Sequence, residues 1–189
     1  MKLETKRLII RPFEFSDDID LYEMCRDHET AYNAGWSPHE NIEISRNIVF
    51  GYMYQRETFA ICLKDNRKLI GTISLYSNNL RKKINCREMG FCLNKKYRHY
   101  GYMQEAISKM LEYGFTILDL DLIMICHHTQ NFSCERLVRK FPFKYEGTLR
   151  MYRTLYDGTK IDAMMYSMTK EEYKEEILNE RNETKIRLQ

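Results

Sequence analysis

No two cysteines in this chain stand at Cys-x-x-Cys spacing, and no apolar run approaches the roughly 18 residues of a membrane span. Neither sign of charge is in large excess. Six cysteines are scattered at positions 25, 62, 86, 92, 126 and 134, and a chain of 189 residues buries too large a core to need disulfide staples. Reduced thiols in a cytoplasm are therefore expected. The opening Met1-Lys-Leu-Glu-Thr-Lys-Arg7 is charged where a secretory signal requires an apolar stretch, so the protein is expected to be neither secreted nor inserted in a membrane. A formal net charge of +3 provides no global basic field, which argues against nucleic acid as a partner. No metal is expected either. His127 and His128 are adjacent strand residues facing opposite sides, with no carboxylate or thiolate following at ligand spacing, so a structural or solvent-facing role fits them. Internal repeats, low-complexity segments and interdomain linkers are also missing, which leaves one domain over 1–169 and a charged helix or tail over 170–189.

What is present is the composition of a soluble globular protein, 43% hydrophobic and 30% charged. Arg7 to Pro12 reads as an opening strand that Pro12 ends or places at an edge. Ser16 can cap a helix running to about Asp27, and another should begin between Ser37-Pro-His-Glu40 and Asn41 and run to about Gln55. Strands follow at Thr58–Leu63, Leu69–Leu75 and Glu88–Leu93. A helix then carries apolar residues at Met103, Ala106, Ile107, Met110, Leu111, Ile117 and Leu118. Leu122–Cys126 has a buried-strand pattern, and a helix from about Asn131 to Phe141 is stopped by Pro142. Tyr145–Tyr156 and Lys160–Met168 flank Asp157-Gly158, a strong hairpin signal. Thr169-Lys-Glu-Glu172 then offers a capping box for the charged tail. This order predicts a mixed α/β sheet covered by helices on both faces.

Arg98-His-Tyr-Gly-Tyr-Met-Gln-Glu-Ala106 opens a helix directly after an apolar strand. Unpaired amides at a helix start, aided by the positive dipole end, bind phosphate, and Gly101 lets a ligand approach the backbone. The Gly-x-x-x-x-Gly-Lys-Ser/Thr spacing of an ATP-binding loop is missing.

Four segments together resemble the GNAT superfamily of acyl-CoA-dependent N-acyltransferases, in particular its RimJ/RimL-like branch. They are Leu3-Glu-Thr-Lys-Arg-Leu-Ile-Ile-Arg-Pro12, Glu88-Met-Gly-Phe91, Arg98-His-Tyr-Gly-Tyr-Met103 with Glu105-Ala106, and Asn131 through Lys140-Phe-Pro-Phe143 with Tyr145-Glu-Gly147. The likeness spans residues 3 to 168. It implies a mostly antiparallel sheet with one splayed pair of parallel strands, here those ending at Leu93 and Cys126. It also implies acetyl-CoA as co-substrate, with the pantetheine arm along Phe91, Cys92 and Leu93, the phosphates at Arg98, His99, Tyr100, Gly101, Tyr102 and Met103, and Asn131 on the late helix. Three residues depart from the family pattern: Met103 replaces the last Gly/Ala of the signature, Cys134 takes a common serine position, and Pro142 stands for a glycine.

Acetyl transfer from a thioester needs a neutral amine, a stabilised oxyanion and a proton for the leaving thiolate. Glu88 is the first choice of proton acceptor, with Glu146 its weaker rival. Cys134 is the proposed donor to the thiolate, with a tyrosine as the alternative. Lys95 and Lys96 flank the phosphate loop. Trp36 is expected to line the acceptor cleft, while Phe59, Phe91 and Tyr76 read as sheet packing. The expectation is a monomeric or homodimeric acetyltransferase whose acceptor is a protein N-terminus or a small amine attacking directly in a ternary complex. A non-catalytic acyl-CoA-binding or regulatory module on the same fold is the alternative.

Overall fold

The computed structural model describes the backbone of residues 1–77 and 80–187, and side chains of the last helix as far as residue 178. An eight-stranded sheet runs in the order β1-β2-β3-β4-β5-β6-β8-β7. Its strands are β1 (Leu3–Glu4), β2 (Leu8–Pro12), β3 (Thr58–Leu63), β4 (Leu69–Ser77), β5 (Cys86–Leu93), β6 (Leu122–His128), β7 (Lys144–Thr154) and β8 (Lys160–Thr169). Every pairing is antiparallel except β5 with β6. On one face α1 (Asp18–Cys25) and α3 (Ile42–Gln55) bury Leu21, Met24 and Val49 against Ala60, Cys62 and Leu69. On the other, α4 (Tyr102–Glu112) buries Met103, Ala106, Ile107 and Met110 against Leu8, Ile10, Ile61 and Ile73. Alternate strand residues serve the two faces, which is why the sheet's central strands are apolar nearly throughout. No helix among the described residues is long and apolar enough to cross a membrane.

The first helix begins differently from the expectation. Ser16 lies within a single 3-10 turn, Phe15–Asp17, closed by a capping box between Glu14 and Asp17. The Asp17 carboxylate accepts from the Glu14 amide at 2.7 Å and receives both Nη atoms of buried Arg11 at 2.8 Å. That bidentate bond, more than any other influence, pushes the guanidinium pKa above its ordinary value. The helix stops at Cys25, because Asp27 starts a helix of its own, α2 (His28–Ala34), by accepting from the Thr30 amide at 3.0 Å. Gly35, at φ +83°, ends that helix in a left-handed conformation.

Later elements show smaller differences. α4 does not continue to Leu118: the chain widens into an i→i+5 turn over Tyr113–Ile117, which leaves Ile117 70% exposed. Gly114 permits the close approach here, since a Cβ would stand 2.7 Å from Ile123 Cδ1. α5 (Phe132–Val138) ends before Pro142 is reached. Lys140 and Phe141 donate three residues back, to Leu137 and Val138, and proline disfavours a helical residue before it. The hairpin turns at Asp157-Gly158 with Gly158 at φ +86°. Thr169 and Glu172 cap α6 (Lys170–Arg187) reciprocally, at 2.8 and 3.2 Å. The last two residues of the expected tail lie outside the described residues.

Candidate active site

The sheet opens at one point. β5 and β6 share the rungs Cys86–Leu122, Arg87–Ile123 and Glu88–Met124. Beyond Glu88 the strands part, β5 staying with β4 as far as Leu93 and β6 with β8 as far as His128. The edge of β5 from Met89 to Leu93 thus turns backbone donors and acceptors toward a gap.

Two cavities occupy the two sides of this gap. The first, about 350 Å³, is lined by Trp36, Tyr76, Glu88, Cys126, Tyr152 and Arg153 among others. The second, about 380 Å³, runs past Leu93, Arg98, His99, Gly101, Tyr102 and Met103. Phe91, Cys92, Asn131 and Cys134 line both, so the cavities adjoin where the strands separate.

Glu88 is 4% exposed and sits on the last shared rung. Tyr76, its direct partner across β4 and β5, donates its hydroxyl to Glu88 Oε1 at 2.9 Å. The Cys126 thiol donates to the same oxygen at 3.0 Å, and Tyr152 Oη lies 3.7 Å from that sulfur. Burial, reinforced by the Glu88 charge, pushes the Tyr76 phenol upward and the Cys126 thiol up to about 12. Burial likewise carries Tyr152 up to about 12. These three groups keep their protons at neutral pH and remain hydrogen-bond donors.

At the second cavity, α4 begins at Gly101, whose φ of +80° follows a left-handed His99 at +70°. No side chain caps the helix there. Glu105 instead braces α4 from behind, accepting from the Arg7 amide at 2.8 Å and from Arg7 Nε at 2.7 Å. The open amides and helix dipole make this end a site for anions. Arg98 stands beside it, bonded to Glu29 at 2.6 Å and to Thr30 Oγ1 at 2.9 Å. Arg136 of α5 and Lys140, just past its end, line the opposite wall.

Asn131 caps α5 by accepting from the Cys134 amide at 3.0 Å, and its Nδ2 donates to the Asn33 carbonyl at 3.2 Å. It thereby ties α5 to α2 across the junction of the cavities. Burial pushes the Cys134 thiol up to about 12.

Of the residues the sequence puts first for catalysis, cofactor or acceptor, all but Tyr100 line one or both cavities. Tyr100 is 64% exposed and outside both cavity walls; its carbonyl accepts from Arg7 Nη1 at 2.9 Å and its ring lies against Tyr102. Glu146 lines neither cavity, being held by Arg81 and by Ser167 Oγ at 2.6 Å. Lys95 pairs with Asp27, and Lys96 with Glu23 at 2.8 Å, so both brace the loop rather than line the groove. Phe59 is sheet packing as expected, whereas Tyr76 is a hydrogen-bond partner of Glu88. His127 and His128 face opposite sides, one ring stacked on Tyr166 and the other edge-on to Tyr32. At 6% and 5% exposure neither faces solvent. Cys126, Tyr152, Arg136 and Lys140 were not anticipated. Arg136 and Lys140 stand four residues apart, a one-face spacing that could have signalled a shared cationic wall.

Residues 7–144 match the acetyltransferase (GNAT) domain family. Over 173 residues the chain is 33% identical to the uncharacterized N-acetyltransferase YoaA of Bacillus subtilis, covering 89% of this chain and 96% of that protein. It is 23% identical to the [ribosomal protein uS5]-alanine N-acetyltransferase of Escherichia coli, over 89% of this chain and 91% of that one. The solved structure of a GNAT-family acetyltransferase from Bacillus anthracis superposes with a TM-score of 0.81 at 26% identity, covering 90% of this chain and 99% of that one. With a splayed parallel pair, a phosphate-type helix start and these relatives, the chain belongs to the GNAT acetyltransferase family.

Proposed function

We propose that this acetyltransferase moves the acetyl group of acetyl-CoA to a primary amine, a protein N-terminus or a small amine, by direct attack in a ternary complex. The observation that carries this reading is the meeting of the two cavities at Phe91, Cys92, Asn131 and Cys134, with the Glu88 carboxylate on one side and the uncapped α4 terminus on the other. GNAT acetyltransferases use acetyl-CoA as co-substrate, and the second cavity suits it. Its phosphates meet the amides at Gly101–Met103 with the positive charge of Arg98, Arg136 and Lys140, and its pantetheine arm pairs with the open edge of β5. One relative is named as an alanine N-acetyltransferase of ribosomal protein uS5, which supports a protein N-terminus among the acceptor classes.

In the first cavity Glu88 takes a proton from the incoming ammonium, and the freed amine attacks the thioester carbonyl carbon. Tyr76 and Cys126 hold the carboxylate in place. As the C–S bond breaks, the attacking nitrogen gives up its second proton, the departing thiolate takes one to become the free thiol, and the Cys134 thiol donates a hydrogen bond to that sulfur. Burial makes Cys134 a reluctant acid, so its main contribution is that hydrogen bond, and a tyrosine hydroxyl is the alternative donor. Glu88→Gln tests the assignment. Turnover should fall by roughly a hundredfold or more at neutral pH and recover in part as pH rises and free amine accumulates, with acetyl-CoA binding nearly intact. Unchanged turnover would remove Glu88 from the chemistry.

A further inference from the structure

The first cavity holds a second charge, of the sign opposite to Glu88. Arg153 of β7 lies on its wall, packed onto the turn that ends α2: its Nη1 stands 2.6 Å from where a Cβ on Gly35 would be. Its Cζ is 5.8 Å from the Tyr152 ring centroid, and its charge reaches both His128 and Cys126. Arg153 is exposed at the mouth of the cavity, has no carboxylate partner among the described residues, and is the arginine on this wall.

The same wall carries a second, independent sign of a missing polar partner. Trp36 Nε1, next to the glycine under Arg153, is buried with nothing to donate to, and both ring nitrogens of buried His128 are also without partners. Unmet hydrogen-bonding groups of this kind are costly unless a ligand satisfies them. Donors beside a cation suit an anion, and a guanidinium fits a carboxylate through two parallel bonds. At about 350 Å³ the cavity is at the small end for a ligand site, which suits a compact molecule.

We propose that the acceptor amine carries a carboxylate, received by Arg153 and its neighbouring donors while the amine meets Glu88. This rests on the direct-transfer reading and deepens it by naming the acceptor class. Two sources supply that chemistry: the α-carboxylate of a free amino acid and the acidic side chain of a peptide's leading residues.

With acetyl-CoA present, thiol release is measured for L-alanine, L-methionine and L-phenylalanine against their carboxamides, and for the dipeptide amide Ala-Asp against Ala-Asn. The amide's amine is the less basic of each amino acid pair, so a site without a carboxylate receptor favours the amide. In at least one arm the carboxylate compound should lead in kcat/KM by about tenfold to a hundredfold, and the leading arm identifies the source. Arg153→Gln should bring that ratio close to one, chiefly through KM, and Arg153→Lys should retain part of it. Equal or amide-favouring rates in both arms, or a ratio that survives Arg153→Gln, overturn the proposal. If none of these amines is acetylated, calorimetry on CoA-saturated protein still decides the subsite. Tighter binding of N-acetyl-L-methionine than of its carboxamide, lost in Arg153→Gln, sustains it, and equal affinities refute it.

Discussion

Burial sets the protonation of nearly every side chain around Glu88. Tyr76, Cys126 and Tyr152 are all pushed upward, so the carboxylate is surrounded by donors and accepts two hydrogen bonds on Oε1. Cys134 presents a separate question. As donor to the thiolate, Cys134→Ala should reduce turnover with little change in acetyl-CoA affinity, and Cys134→Ser should restore part of the rate. As packing, both substitutions should cost stability by about 1 kcal/mol and leave the rate per folded molecule alone. Rate and melting temperature measured on the same three proteins separate these outcomes. Glu88 was picked out in the sequence because it opens the expected strand that leads to the Gly101 loop. Tyr76 was not, because its role depends on the register that sets it opposite Glu88, and register across a twelve-residue separation is invisible in composition or periodicity.

At the scale of elements, the start of α4 is the feature with the sharpest consequence. Gly101 holds a φ of +80°, which costs any other residue strain, and a glutamate there adds bulk and negative charge where phosphates are expected. Acetyl-CoA and CoA should raise the wild-type melting temperature with concentration, because a ligand bound only by the native state stabilises it by mass action. Gly101→Glu should abolish that response. Gly101→Ala carries similar backbone strain of about 1 kcal/mol without the charge, so it should melt lower yet still respond to ligand. Equal responses in all three proteins would move the phosphates elsewhere. This junction was readable from strand, glycine and amphipathic helix in succession. α2 was not, because its seven residues show no apolar stripe, and its cap, Asp27, looked like the end of the previous helix. The cationic wall of Arg136 and Lys140 escaped notice because α5 is short and its outward face reads as ordinary solvated surface.

For the molecule as a whole, ion pairs fasten α1 and α2 to the loop that leads into the second cavity. Lys96 first and Lys68 second hold Glu23 down to about 2. Burial would raise Asp27, yet Lys95 and Thr30 together bring it down to about 2. Both carboxylates bind protons less readily folded than unfolded. Their contribution is complete above the ordinary carboxylate range near pH 4 and is lost as pH falls from there toward 2. The melting temperature should therefore drop through that window, and Glu23→Gln with Asp27→Asn should flatten the drop while lowering stability at neutral pH. A double variant that follows the wild type through the window would show that the pairs hold nothing. The sheet, its helices on both faces and its single parallel pair were foreseeable from element order and family likeness, but which charges fasten the layers was not, since each pair joins residues some 45 to 73 positions apart.

The central claim is that the amine itself attacks the thioester, with both substrates bound across the gap between β5 and β6. Pre-steady-state release of CoA thiol from acetyl-CoA, followed with and without an acceptor amine, tests this most directly. Direct attack predicts no rapid release until the amine is added, and product amide formed in step with thiol thereafter. A burst of thiol in the absence of amine, with an acetyl group found on Cys126 or Cys134, would contradict it.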